Sequence, residues 1–162
     1  MNRKSIKQTI YIETSIVSYL TARLSRHLVV AAHQQITEEW WENHRVSFQL
    51  YTSEVVLDEA SFGDPALASK RCQALQGIEL LDVSDEAVSL STKLIAPGAL
   101  PSKALEDALH IAIATIHQVD YLLTWNCKHI ANAQMRLAIE RINNQCGYQT
   151  PIICTPEELM GE

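Results

Sequence analysis

Four polar stretches in this chain carry side chains that can do chemistry, and each adjoins a run of apolar or β-branched residues. Glu13-Thr14-Ser15 follows Thr9 to Ile12, Ser53 and then Glu59 follow Val46 to Thr52, and Thr124-Trp125-Asn126 follows Tyr121 to Leu123. Asp107 lies one turn into the apolar segment Lys103 to Gln118, where ALHIAIATI leaves few polar positions. An acid in the first turns of a helix is ordinarily explained by the helix dipole, and that suffices for Glu59 or Asp107 taken singly. Asp107 asks for more, because a carboxylate on an otherwise apolar helix loses hydration unless it is paired or binds a cation. Three carboxylates and one amide brought to a common sheet edge would repel one another without a metal. All four offer oxygen, which suits a hard ion such as Mg²⁺ or Mn²⁺.

Whether they converge depends on the elements that carry them. Thr9 to Ile12 reads as a first strand, and Thr14 or Ser15 can cap a helical turn holding Ile16, Val17, Tyr19 and Leu20. A period near 3.6 predicts a helix from about Leu24 to His44, and alternation predicts a second strand over Val46 to Thr52. Ser53 caps a helix over Glu54 to Phe62 that Gly63 closes. Asp64-Pro65 opens another helix, ending at Gly77. Ile78 to Val83 reads as a strand. Ser84 or Asp85 caps a helix that Pro97-Gly98 terminates. The apolar helix Lys103 to Gln118, a strand at Tyr121 to Thr124, a helix at Asn132 to Gln145 and a strand at Ile152 to Cys154 complete the chain. Alternation of this kind predicts βα units around a parallel sheet with helices on both faces. Ligands of such sheets bind beyond the carboxyl ends of the strands, where strand order reverses. The four polar stretches occupy such ends.

A chain of 162 residues fits one domain, residues 1–162 here, able to bury a full core without disulfides or a structural metal. Hydrophobic residues at 47% and charged residues at 20% exclude a disordered or fibrous chain. No stretch approaches the length of a membrane span and the basic N-terminus lacks the apolar core of a signal peptide, so a soluble cytoplasmic protein is expected. Cys72, Cys127, Cys146 and Cys154 show no metal-binding spacing and are expected to be reduced, mostly core thiols. The net charge of -6 argues against tight electrostatic binding of nucleic acid. The charge is uneven, however. Up to Arg26 there are five basic residues (Arg3, Lys4, Lys7, Arg23 and Arg26) against Glu13, a local +4 that can serve as a phosphate-attracting flank.

The stretches YIETSIVSYL, TSEVVLDE, EDALHIAIA and DYLLTWNCKHI, in that order, resemble the PIN-domain nucleases, in particular the VapC-like toxins of type II toxin-antitoxin pairs. The resemblance runs from Ile10 to about Glu158. It implies a three-layer α/β/α PIN-like domain with a central parallel sheet of about five strands, acting as an endoribonuclease with Mg²⁺ or Mn²⁺. On that pattern Glu13 takes the first acidic position, usually Asp, with Thr14 and Ser15 as accompanying hydroxyls. Glu59 takes the second, Asp107 the third, and Asn126 stands where a fourth Asp is common, two residues after the hydroxyl of Thr124. These four would hold the metal and carry catalysis. Thr14, Ser15, Thr124, Arg23 and Lys128 would meet substrate. Glu13 reaches one methylene further than Asp, and Asn126 keeps an oxygen but loses a charge, which favours one tightly held ion over two. The resemblance also implies a cognate antitoxin as partner and a homodimer.

Other residues read as structural. Glu106 and Asp58 face outward, Asp120 fixes the turn before its strand, and His110, at i+3 from Asp107, is expected to be buried and hydrogen-bonded. His117 and His129 show no zinc spacing, and Trp40-Trp41, although able to stack bases, fits a core position better. The competing function is a PIN-like domain of weakened catalysis that binds RNA or a protein, for which Asn126 is the main support. A nucleotide-binding site would need a glycine-rich phosphate loop, and the five glycines are isolated.

Overall fold

The apolar, β-branched composition of the strand segments is what strands buried on both faces require. In the computed structural model, which describes residues 6–96 and 98–161, Ile10, Tyr11, Ile12, Leu122 and Leu123 are all fully buried. The sheet they form has five strands: β1 (Thr9–Ile12), β2 (Gln49–Ser53), β3 (Glu79–Leu81), β4 (Tyr121–Leu123) and β5 (Ile152–Cys154). All pairings are parallel, in the order β3-β2-β1-β4-β5. Register sets Ile12 beside Leu123, so the residues after β1 and β4 emerge side by side. That gap is the point where strand order reverses, and Glu13 and Thr124 flank it.

Helices α1 (Thr14–Thr21), α2 (Leu28–Asn43), α3 (Glu54–Ala60) and α4 (Pro65–Leu75) pack together as one layer. A second group consists of α5 (Asp85–Ile95), α6 (Leu105–Ile116) and α7 (Ala133–Gln145). The three-layer α/β/α arrangement is the one expected. Most of α6 is buried, from Ala108 and then His110 through Thr115, as its composition requires. Trp40 and Trp41 belong to the core, and Arg45 lies over the Trp41 ring, 4.6 Å from its centroid. Among the described residues no helix is long and apolar enough to cross a membrane.

Several boundaries move for identifiable reasons. The cap of α1 is the side chain of Glu13, which accepts from Ser15 N at 3.0 Å, rather than Thr14 or Ser15. Helix α2 begins at Leu28, not Leu24. Buried Gln34 reaches back to accept from Ser25 N and donate to the Arg23 carbonyl, each at 2.9 Å, and this holds the connection out of helix. Strand β2 begins at Gln49 instead of Val46. Its partner β1 begins at Thr9, so Arg45–Ser47 has no ladder to join and forms a 3₁₀ turn. β3 and α3 are likewise shorter than expected, and α6 starts after a 3₁₀ turn at Ser102–Ala104 and stops before Gln118, whose φ is 55°. Helix α5 ends at Ile95; the Pro97 stop assigned to it lies outside the described residues. The cysteines are free: Cys154 is buried in the core, Cys72 and Cys146 are half-buried against it, and Cys127 is exposed.

Candidate functional site

Glu13 leaves the end of β1 directly into α1 and is 5% exposed. A buried carboxylate must find donors, and three converge on its Oε2: Ser15 N, the Ser15 hydroxyl, and the Thr124 hydroxyl at 2.7 Å. These hydroxyls are themselves oriented by backbone donors of the loop after β4, Trp125 N to Ser15 at 2.8 Å and Asn126 N to Thr124 at 2.9 Å. The two strand ends at the switch point are thus tied through Glu13.

Glu59, near the end of α3, accepts from the Thr14 hydroxyl at 2.9 Å and from His110 Nε2 at 2.5 Å. His110 on α6 is fully buried and its Nδ1 meets the Tyr11 hydroxyl at 2.8 Å, which in turn meets Ser53 Oγ at 2.7 Å. Burial opposes a charge on His110. The bond to Glu59 and the negative field of Glu13, Glu59 and Asp107 outweigh it, holding the imidazole above its ordinary value. Burial likewise opposes charge on Glu59, and the His110 and Thr14 donors overcome it, so its carboxyl lies below the ordinary range. Burial pushes the Tyr11 hydroxyl far upward, so it stays protonated as a hydrogen-bonding link.

Asp107, in the first turn of α6, has both oxygens occupied. Asn126 Nδ2 donates to Oδ1 at 2.9 Å and His129 Nδ1 to Oδ2 at 2.6 Å. Asn126 Oδ1 faces away, accepting from His129 N at 3.1 Å. Hydrogen bonds therefore link Asp107 through Asn126 and Thr124 to Glu13, while Glu59 belongs to a second network with Thr14, His110, Tyr11 and Ser53 that meets the first along the chain, where Thr14 follows Glu13.

Of the residues assigned to the site from sequence, Glu13, Glu59, Asp107, Asn126, Thr14, Ser15 and Thr124 come together at this end of the sheet. The three hydroxyls donate to carboxylates. Arg23, in the connection between α1 and α2, and Lys128, in the loop after β4, are exposed and make no side-chain bond among the described residues. Arg3 and Lys4 lie outside the described residues, and Lys7 precedes β1, at the opposite end of the sheet, where it donates to the Val46 carbonyl at 2.7 Å. Of the described residues of the basic flank, Arg23 and Arg26 lie in the α1–α2 connection rather than before β1. Sequence reasoning misses Tyr11, takes Ser53 no further than a strand end and helix cap, and reads His129 as structural. Tyr11 carried a usable signal, a hydroxyl two residues before Glu13 in a strand otherwise apolar at its centre, and therefore on the same strand face. Glu106 and Asp58 are exposed and Asp120 accepts from Thr9 N and Thr9 Oγ1, as expected.

In chemistry the donor set fits a hard divalent ion. Glu13 Oε1 and Glu59 Oε2 accept no hydrogen bond among the described residues, so each keeps an oxygen to offer. Among the described residues no three His, Cys, Asp or Glu side chains are gathered to hold an ion as they stand. Each oxygen of Asp107 carries one hydrogen bond and keeps a second lone pair, so it could join Glu13 and Glu59 around an ion once the three draw together.

No protein-family model matches the chain, and no curated protein matches it. Among solved structures it is similar to a chain of VapBC2 from Rickettsia felis, determined bound to a DNA fragment from their promoter. The likeness has a TM-score of 0.53 at 18% identity and covers 91% of this chain and 98% of that one. Sheet order, layering and this likeness together give the chain a three-layer PIN-like fold.

Proposed function

We propose that this protein is a metal-dependent endoribonuclease, acting in the cytoplasm as the toxin of a toxin-antitoxin pair. The observation that carries this reading is the convergence of Glu13, Glu59 and Asp107 at the β1–β4 switch point of a PIN-like fold. Three acids held at one end of the sheet by hydroxyl, amide and imidazole donors serve no packing purpose there. Mg²⁺ or Mn²⁺ held by these carboxylates would supply an activated water and neutralise charge on the phosphoryl oxygens. The chain's own groups prepare that site: Ser15 and Thr124 fix Glu13, Thr14 and His110 fix Glu59, and Asn126 and His129 fix Asp107. The similar chain comes from a VapBC complex, which supports a cognate antitoxin here, and an acidic groove suits a basic antitoxin side chain.

A specific observation also favours a weakened RNA-binding or protein-interaction module. Asp107 is already satisfied by Asn126 and His129, leaving little need for an ion. Calorimetric titration with Mn²⁺, paired with cleavage of single-stranded RNA, separates the two. Under the nuclease reading the ion binds at millimolar concentration or below and Asp107→Asn lowers cleavage on the order of a hundredfold. Undiminished cleavage by that variant overturns the site, and absence of millimolar or tighter Mn²⁺ binding favours the module.

A further inference from the structure

Beside the acidic cluster lies a group of three aromatic side chains that the reaction chemistry does not use. Trp125 sits between Thr124 and Asn126, and its backbone N–H is one of the donors that orient Ser15. Its ring stacks on His33 of α2 with centroids 4.0 Å apart and planes 13° from parallel. Tyr19 of α1 lies against both, at 6.0 Å from Trp125 and 6.1 Å from His33. The indole N–H donates to the Thr37 hydroxyl at 2.7 Å, which fixes the ring plane. Trp125 is 7% exposed, whereas Tyr19 and His33 are only half-buried. One turn before His33, Val29 is 56% exposed.

The surroundings of this group indicate what it meets. Helix α2 descends from the site's end of the sheet: His33 and Thr37 touch Trp125 just beyond β4, while Trp40 packs on Phe48 just before β2. The α1–α2 connection, with Arg23 and Arg26, therefore stands at the site's end. Gln34, adjacent to His33, holds it there through the Arg23 carbonyl and Ser25 N. The aromatic group thus adjoins the acidic cluster through Trp125 N and Ser15, and adjoins the cationic connection through Gln34 beside His33. Aromatic faces next to cations are how single-stranded nucleic acid is held, bases on rings and phosphates on guanidinium groups. A protein ligand would be served by the cations and the apolar rim but has no general need of stacked ring planes.

We propose that Tyr19 and His33, backed by Trp125, form a stacking platform for a nucleobase next to the scissile phosphate of single-stranded RNA, with Arg23 and Arg26 holding the adjoining backbone phosphate. The platform deepens the nuclease reading by giving it a substrate class and a place for the base, and it rests on that reading for the position of the scissile bond. Such a platform would give a chain of net charge -6 a means of holding RNA that does not depend on its overall charge.

The test is binding of a short fluorescent single-stranded oligoribonucleotide by anisotropy, in chelator so that no cleavage occurs. Wild type is compared with Tyr19→Ala, His33→Ala and His33→Phe, using one intact RNA and a series with a single abasic position. Each alanine variant is expected to weaken binding of intact RNA on the order of tenfold. His33→Phe, which keeps a flat ring, is expected to bind as wild type. At one abasic position the wild type should lose a similar factor and His33→Ala should lose little more. Equal affinities for wild type and both alanine variants, with circular dichroism unchanged, overturn the platform but leave cleavage to be judged by Asp107→Asn. Losses that are the same for intact and abasic RNA also overturn it, as does a His33→Ala variant that loosens only a protein partner. Base-dependent binding without cleavage in Mn²⁺ sustains the platform and removes the nuclease reading.

Discussion

Asn126 decides the charge state of this site more than any other residue. Its amide does two opposite jobs, donating to Asp107 and accepting from His129 N, and an ionised carboxylate in its place could only accept. An aspartate here would keep the bond from His129 N but set a second carboxylate against Asp107, with like charges in place of a charge-assisted bond. Asn126→Asp is therefore expected to destabilise the metal-free protein by about 2 kcal/mol, the scale of a hydrogen bond to a charged group. The same change should strengthen divalent-ion binding, because the added charge is what an ion neutralises. Thermal melts in chelator and in Mn²⁺ check both halves. A variant that melts like the wild type in chelator shows that the Asn126–Asp107 bond contributes nothing. His110 and His129 act in the same sense, each placing a donor on one acid, so this cluster is balanced from within.

At the scale of elements, the connection between α1 and α2 has no regular structure, and one buried side chain ties it down. Gln34 is 7% exposed and uses its amide on Ser25 N and the Arg23 carbonyl. Gln34→Ala leaves both backbone groups unpaired and is expected to cost about 1–3 kcal/mol where they stay buried, or to free the connection where they reach water. Hydrogen exchange separates these outcomes: fast exchange at Ser25 N with little loss of melting temperature marks a freed connection, and RNA affinity should then fall with it. The sheet, the layers and the placement of Glu13, Glu59, Asp107, Asn126 and Thr124 were legible in the sequence because strand periodicity and turn chemistry are local. What Gln34 does was not, since a residue nine positions away competes with helix formation from Leu24. The pairing of Asp107 with His129 was hidden for a like reason, as it depends on how the loop after β4 folds back over α6. Trp40 and Trp41 are core, as expected, whereas the aromatic group beside the site was hidden because Tyr19, His33 and Trp125 come from three separate segments of the chain.

For the whole molecule the question is how an acidic protein approaches a polyanion. The net charge of -6 sets an unfavourable long-range field, and the cations at the site's end are few: Arg23, Arg26 and Lys128. Binding dominated by phosphate contacts would show a steep salt dependence, because each neutralised phosphate releases counterion, with a slope of roughly -0.7 per contact for single strands. Two or three contacts give a slope of log affinity against log salt of about -1.4 to -2. Stacking on Tyr19 and His33 should add affinity that salt leaves untouched, so His33→Ala is expected to lower the whole line without changing its slope. Arg23→Ala combined with Arg26→Ala is expected to flatten the slope by about 1.4. Anisotropy over a series of KCl concentrations, in chelator, measures both. A slope steeper than about -3 in the wild type means that more phosphates are neutralised than these three cations can reach, and the bound strand then follows a different face of the molecule.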